Sequence, residues 1–278
     1  MPSHDLPGAR IHYRIAGSEG PAFVFVHGGC CSLADWRLQF AALEQHATVL
    51  ALDLRGHGGS TGDVADCTVA RWAEDVNALI DALRIGPAVI VGHSLGARIA
   101  AEAAWQAPAN AAALVLVDGS RSVGGLAAAA PVAGSRPAAP ADGDLAAILD
   151  ATVGPYADAE TRRAIIATMT TAPMTLMLRT VAAYSAWDEE RADAVVGALS
   201  GRLPVLAIQS TYHDRFTPRH ALADQAATTP YLDWLKAALP QLEIAILPNT
   251  GHFSMLERPG VVTGLLRQFA AATTELAP

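Results

Sequence analysis

Residues 88–98 read AVIVGHSLGAR, an apolar run that passes through Gly-His-Ser-Leu-Gly into a helical pattern. The glycines at 92 and 96, two positions either side of Ser94, allow a tight backbone turn. A serine placed there, between a strand and a helix, is held strained with its hydroxyl exposed. A glycine-rich turn without chemistry is the alternative. We favour a nucleophile, because the partners that such a serine needs follow downstream in the expected order.

Composition limits what this serine can act on. The 278-residue chain is 51% hydrophobic and carries a formal net charge of −8. Nucleic acid binding requires a basic surface, so the charge argues for a small-molecule substrate. The N-terminus lacks the pattern of a signal sequence, and we find no continuous apolar span of membrane length. We therefore expect a cytoplasmic protein with no nucleic-acid or membrane partner.

The cysteines and histidines do not predict a metal site. Cys30, Cys31 and Cys67 are sparse and odd in number, which favours reduced thiols. With His27 and His57 they match no zinc spacing. No glycine-rich nucleotide motif opens a helix, so we expect no metal and no cofactor.

Buried apolar runs alternate with helical patterns along most of the chain. A turn at Pro7-Gly8 predicts an N-terminal hairpin, and continuous rather than alternating apolar runs predict strands buried on both faces. These runs are 22–26, 48–52, 88–91, 113–117, 204–208 and 242–247. Helices are predicted between them, at about 69–83, 221–239 and 259–272 among others. The pattern predicts an α/β fold with a mostly parallel sheet of about eight strands and helices on both faces.

The alternation stops in the middle of the chain. Residues 124–143 are rich in Ala, Pro and Gly, and 144–201 reads as several helices without a strand between them. We interpret residues 120–201 as a helical lid inserted into a core domain made of 1–119 and 202–278.

Four motifs follow predicted strands: HGG at 27–29, DLRGHGGS at 53–60, GHSLG at 92–96 and NTGHF at 249–253. Together and in this order they resemble the α/β-hydrolase fold family. The resemblance covers the chain except the lid. It implies a serine nucleophile, and it says much less about the substrate because the fold hosts many reactions.

The catalytic partners follow from the chemistry and from this resemblance. His252 is the predicted base, since His93 adjoins the nucleophile and His57 lies in a glycine-rich loop. For the acid that orients it, we prefer Asp214 in the loop after the 204–208 strand. That loop carries Thr211 where relatives commonly have glycine, with an apparent extra residue. Asp118, at the end of the preceding strand, is therefore the alternative acid.

Two backbone N–H groups are expected to stabilise the oxyanion of an acyl-transfer reaction. Leu95, at the start of the helix after Ser94, supplies one of them. The resemblance favours Gly29 for the other, with Cys30 if the register shifts by one. Asp53 precedes the serine in the chain and is expected to anchor its own loop.

Three functions remain open at this point. The first is a carboxylesterase-like serine hydrolase that cleaves a small carboxylic ester, lactone or thioester through an acyl-enzyme on Ser94. The second uses the same residues to cleave a C–C bond beside a ketone. The third is a ligand-binding receptor that has kept the fold, which the apparently complete triad disfavours. Oligomeric state cannot be read from the sequence.

Overall fold

The computed structural model describes residues 1–122, 145–214 and 217–275. The alanine-rich segment predicted at 124–143 lies outside these residues. Eight strands form one sheet in the order β1-β2-β4-β3-β5-β6-β7-β10. They are β1 (Ser3–Leu6), β2 (Ala9–Ala16), β3 (Ala22–Val26), β4 (Thr48–Leu52), β5 (Ala88–His93), β6 (Ala111–Val117), β7 (Val205–Gln209) and β10 (Leu242–Ile246).

Six of these strands run parallel, as their continuous apolar runs predict. Strands β1 and β2 pair antiparallel as the N-terminal hairpin, and β2 pairs antiparallel with β4. All other neighbours in the sheet are parallel. The order places β5, β6, β7 and β10 side by side, so the loops after these four strands share one edge of the sheet. The predicted fold class is confirmed.

Helices cover both faces of the sheet. They are α1 (Arg37–Leu43), α2 (Val69–Leu83), α3 (Leu95–Gln106), α4 (Leu145–Thr152), α5 (Ala159–Thr170), α6 (Met174–Glu190), α7 (Ala192–Ala198), α8 (Pro230–Ala238), α9 (Ser254–Glu257) and α10 (Pro259–Glu275). Apolar side chains of α2 and α3 pack on one face around Trp72. Those of α1 and α10 pack on the other face around Trp36. Alternate residues of each parallel strand supply the two cores, as a strand buried on both faces requires.

Local sequence sets the ends of the core helices. Helix α2 begins after Thr68, whose hydroxyl accepts the N–H of Arg71 at 3.1 Å, and it has the predicted bounds. The helix predicted at 221–239 is wrong in length. Residues His220–Ala221 form strand β9, which pairs with β8 (Thr211–Tyr212), and α8 begins only at Pro230 behind the N-cap Thr229. Proline at the first helical position and threonine before it explain that start.

Helices α4 to α7 lie between β6 and β7, and the described part of this insertion contains no strand. The described part of the insertion is thus helical, as the sequence predicts, and the domain bounds 120–201 stay a prediction. A buried ion pair joins it to the core: Arg98 of α3 donates two hydrogen bonds, at 2.8 and 2.7 Å, to Asp188 of α6. Within the described ranges no single helix is both long and apolar enough to span a bilayer. The pair α5 and α6, bent by 89°, passes that test only jointly.

Candidate active site

Ser94 occupies the sharp turn between β5 and α3. Its φ of +55° lies in the left-handed region, which a residue other than glycine adopts only with strain. Side chains on the flanking residues would collide with backbone: a Cβ on Gly92 would lie 2.0 Å from the carbonyl oxygen of Gly96, and one on Gly96 would lie 2.3 Å from that of Val26. The two glycines therefore permit the turn, which leaves the Ser94 side chain half-buried at the strand edge.

His252 lies in the loop between β10 and α9. Its ring Nδ1 hydrogen-bonds the carboxylate of Asp118. Its backbone N–H donates to the carbonyl oxygen of Thr152 at 2.8 Å, and its own carbonyl oxygen accepts a hydrogen bond from His93 Nε2 at 2.9 Å. Contacts from three directions thus fix the imidazole of a residue that is only 8% exposed.

Asp118 directly follows β6 and is fully buried. Its φ of +46° turns the carboxylate toward the end of β7, where Oδ1 accepts the N–H and hydroxyl of Ser210 and the N–H of Thr211 at 2.8 to 3.0 Å. Oδ2 accepts the Thr211 hydroxyl at 2.6 Å, Arg219 Nη1 at 3.2 Å and the His252 ring. Six donors hold one carboxylate in place, which stabilises its ionised form.

The structure does not place Asp214 where the preferred prediction required it. After β7 the chain enters the β8 and β9 hairpin, which carries Asp214 past the strand end. There its carboxylate accepts the Tyr212 hydroxyl at 2.8 Å and the N–H of Thr217 at 2.6 Å. The prediction that Asp214 orients His252 is therefore wrong for this structure, because Asp118 holds the ring nitrogen concerned.

Ser94 and the His252–Asp118 pair lie at neighbouring strand ends. The Ser94 N–H donates to the carbonyl oxygen of Val117, the residue before Asp118, at 2.9 Å. The rings of His93 and His252 lie 4.6 Å apart between centroids. Within the described chain the Ser94 hydroxyl makes no hydrogen bond. Catalytic hydrogen bonds are often long or poorly aligned until substrate binds.

The surroundings favour the ionised form of Asp118 and the neutral form of His252. Burial alone would raise the pKa of Asp118, but the hydrogen bond and charge of His252, together with Arg219 and Thr211, lower it below its usual value. Burial and the charge of Arg219 lower the pKa of His252, and Asp118 only partly offsets them. At neutral pH the aspartate is ionised and the imidazole is neutral with its proton on Nδ1. Its Nε2 is then the atom able to accept a proton.

The segment after α4 packs on the histidine loop. The Glu257 carboxylate accepts the N–H of Gly154 and that of Gly251, each at 3.0 Å. A Cβ on Gly154 would lie 2.4 Å from the Gly251 nitrogen, so the two backbones are in direct contact. Glu257 therefore ties the inserted helices to the residue before His252.

The predicted N–H donors lie beside Ser94. A Cβ on Gly29 would lie 3.8 Å from Leu95, so the two residues are neighbours. Neither these two N–H groups nor that of Cys30 donates to any described residue. Asp53 anchors its own loop, as expected, by accepting the N–H groups of Leu33 and Gly59 at 2.7 and 2.8 Å.

A cavity of about 220 Å³ opens from Ser94. Apolar side chains from α3, α5 and α6 line part of it, namely Leu95, Met169, Met177 and Val181. Polar side chains also line it: Arg98, Ser120, Ser122, Tyr184, His213 and Arg219. Sequence reasoning missed Arg219, and only its position in a loop after a parallel strand hints at it. No cluster of three metal-ligating side chains occurs in residues 1–122, 145–214 and 217–275.

Comparison with known proteins connects this geometry to one family. The model of the alpha/beta hydrolase family matches residues 23–264. An enol-lactonase from Burkholderia xenovorans superposes with a TM-score of 0.76 at 22% identity, over 97% of this chain and 100% of that one. A structure titled as the N-acyl homoserine lactone degrading enzyme Est816 gives a TM-score of 0.78 at 24% identity, over 96% and 100%. At these identities the two structures show a shared fold.

Curated relatives match a shorter part of the chain. An uncharacterized protein of Mycobacterium tuberculosis is 43% identical over 110 residues, which is 40% of this chain and 32% of that protein. The 2-(acetamidomethylene)succinate hydrolase of Mesorhizobium japonicum is 34% identical over 114 residues, 41% of each. The aligned region thus spans about a third of the length of the first of these relatives.

Proposed function

This chain belongs to the alpha/beta hydrolase family, and from that premise we propose that it is a serine hydrolase of a small carboxylic ester or lactone, acting through an acyl-enzyme on Ser94. The observation that carries the proposal is the Asp118 carboxylate on Nδ1 of His252, beside a serine on a strained turn. Asp118 takes the role of acid that the sequence had favoured for Asp214.

In this mechanism the Ser94 oxygen attacks the carbonyl carbon while His252 Nε2 accepts the hydroxyl proton. Asp118 holds the ring in the tautomer that leaves Nε2 free, and it stabilises the imidazolium that forms. The same proton then passes to the departing alcohol oxygen. Water, activated by the neutral imidazole, hydrolyses the acyl-enzyme and regenerates Ser94.

The N–H groups of Gly29 and Leu95 would receive the oxyanion. Their lack of described partners and their place beside Ser94 support this role. Each such donor typically contributes about 3 to 4 kcal/mol to transition-state stabilisation. Helix α3 begins at Leu95, so its N-terminal dipole favours the same negative charge.

Small acyl groups are favoured by the size of the cavity. Its volume of about 220 Å³ falls below the roughly 300 to 1,000 Å³ of ligand pockets in general. The names of the fold neighbours, an enol-lactonase and a lactone-degrading enzyme, support hydrolysis of esters or lactones. A thioester would be cleaved by the same residues. The structure gives no specific reason to prefer C–C cleavage or a receptor role.

Ser94 can be tested directly with p-nitrophenyl acetate and a fluorophosphonate probe. We expect Ser94→Ala to lower kcat by at least about 10³-fold and to abolish covalent labelling. Ser200→Ala is the matched control, because Ser200 is exposed after α7 and away from the cavity. Labelling at another residue, or turnover retained in Ser94→Ala, would reject the proposal.

A further inference from the structure

The polar lining of the cavity beside Ser94 contains hydrogen-bonding groups with no partner in the described chain. Arg219 uses only Nη1, which donates to Asp118 and, at 2.7 Å, to Thr211, so Nε and Nη2 have no partner within the described chain. His213 Nδ1 is buried and also unpartnered. Buried polar groups are nearly always paired, so the His213 nitrogen calls for a partner from outside the chain. The two unused Arg219 nitrogens are reachable by solvent and can donate to the same ligand.

The charged side chains in the described lining of the cavity are all positive. Two arginines and no carboxylate are found among the described residues that line the cavity. Their counter-ions, Asp118 and Asp188, are buried behind them at no more than 1% exposure. Arg98 gives Nε and Nη2 to Asp188 and keeps only Nη1, whereas Arg219 keeps both Nε and Nη2.

The Arg219 guanidinium is paired with Asp118 through Nη1, and a ligand acceptor would complete the hydrogen bonds of Nε and Nη2. The Arg219 side chain is 13% exposed, so water solvates it poorly. The planar fork of arginine matches a carboxylate with two parallel hydrogen bonds. Tyr184, whose phenol keeps its proton because burial raises its pKa, adds a neutral donor to the same lining. The chemistry of this polar lining is therefore that of a carboxylate site.

The apolar lining residues limit what else the ligand can be. Met169, Met177 and Val181 offer only apolar contact, and the cavity volume of about 220 Å³ holds only a short chain. Ser94 lines the same cavity, so a group bound here can remain in place while its other end is an acyl-enzyme. A short carbon chain with a carboxylate at one end and the reacting carbonyl at the other fits this mixed lining.

We infer that Arg219, with His213 and Tyr184, forms a carboxylate subsite, and that the substrates are short esters or lactones whose acyl part carries a second, ionised carboxyl group. The inference rests on the proposed function, because it describes the substrate class of the same Ser94 site. Half-esters of short dicarboxylic acids are the simplest members of that class.

Matched ester pairs test the subsite. The monomethyl esters of succinate, glutarate and adipate are compared with the corresponding methyl ester amides, which replace only the free carboxylate, and acid release is followed in a pH-stat. We expect kcat/KM to be roughly 10- to 100-fold higher for the acid of the best pair, as hydrogen bonds to a charged group allow. In Arg219→Gln this ratio should fall to about one.

The ratio within each pair separates recognition from a general loss of activity, because Arg219 also contacts Asp118. Met177→Leu, at an apolar lining residue, is the control. It should change kcat/KM by the same factor for both members of a pair. A ratio of one or less in the unaltered protein overturns the subsite while leaving the hydrolase proposal intact.

Binding gives a readout that does not depend on turnover. Calorimetry on Ser94→Ala measures affinity for the same ester pairs, and we expect the carboxylate member of the best pair to bind at least about tenfold more tightly. Equal affinity, or binding of neither member, overturns the subsite. Failure of Ser94 to react with the fluorophosphonate overturns the proposed function instead.

Discussion

Two aspartates at neighbouring strand ends differ in almost every respect that matters for catalysis. Asp118 follows β6 immediately, is fully buried and accepts hydrogen bonds from four side chains and two backbone N–H groups. Asp214 lies five residues beyond the end of β7, is half-buried and bonds within its own loop. The comparison shows that the distance along the chain from the strand end, rather than residue type, decides which carboxylate reaches the histidine.

The end of β7 contributes to the site in a different way. Ser210 and Thr211, which leave that strand, turn their N–H and hydroxyl groups toward Asp118. The strand that might have supplied the acid thus supplies the donors that keep the neighbouring acid ionised. Arg219 returns from the same hairpin to the same carboxylate.

Asp118→Asn should have the largest effect on this comparison. We expect kcat to fall roughly 10³- to 10⁴-fold, because an amide holds the imidazole poorly in the required tautomer and does not stabilise its cation. The measurement is steady-state hydrolysis of p-nitrophenyl acetate. Retention of more than a tenth of the activity would exclude Asp118 as the acid.

The Asp118→Asn change also affects stability. Its effect on kcat must therefore be separated from a loss of folded protein. Its NH₂ group faces donors that now have no acceptor, at a cost of about 1 to 3 kcal/mol for each orphaned group. Thermal melting of Asp118→Asn should show this loss of stability. The kinetics are therefore recorded about 15 °C below the Tm of the variant. A folded but nearly inactive protein is the expected result.

The pH profile distinguishes the same two residues. His252 must be neutral to accept a proton, and burial first, then Arg219, lower its pKa from the ordinary 6.5. kcat/KM should therefore rise with pH through a midpoint below 6.5 and stay level above it. Below the midpoint it should fall about tenfold for each pH unit. Asp214→Asn should leave this midpoint unchanged, and a midpoint above 6.5 in the unaltered protein would contradict the environment described for His252.

The sequence was sufficient where chemistry and backbone are local. Neither Gly92 nor Gly96 admits a Cβ, and this is why glycine stands on either side of Ser94. A motif of five residues is therefore enough to predict the turn. Apolar runs likewise predicted the parallel strands. The position of His252 followed from a loop directly after the last strand.

The sequence was insufficient where a site depends on how a loop folds back. The pairing of Thr211 with Ala221 and of Tyr212 with His220 removes Asp214 from the strand edge, and two-residue strands leave no periodic signal. Arg219 donates a hydrogen bond to Asp118, which lies 101 residues away in the chain. Glu257 accepts one from Gly154, which lies 103 residues away. Such contacts come from tertiary packing, which a single sequence does not encode at any one position.

Asp214→Asn should have the smallest effect and sharpens the comparison most. Oδ1 survives the change and can still accept the N–H of Thr217, whereas the acceptor of the Tyr212 hydroxyl is replaced by a donor. We expect a loss of stability of roughly 0.5 to 1 kcal/mol, measured by urea unfolding, and kcat/KM within about threefold of the unaltered protein. The Tyr212→Phe variant is the matched control, since it removes the same hydrogen bond from the other side and should give a similar stability change. A loss of activity of a hundredfold or more in Asp214→Asn, with Tyr212→Phe fully active, would return the role of acid to Asp214 and require the loop after β7 to refold when substrate binds.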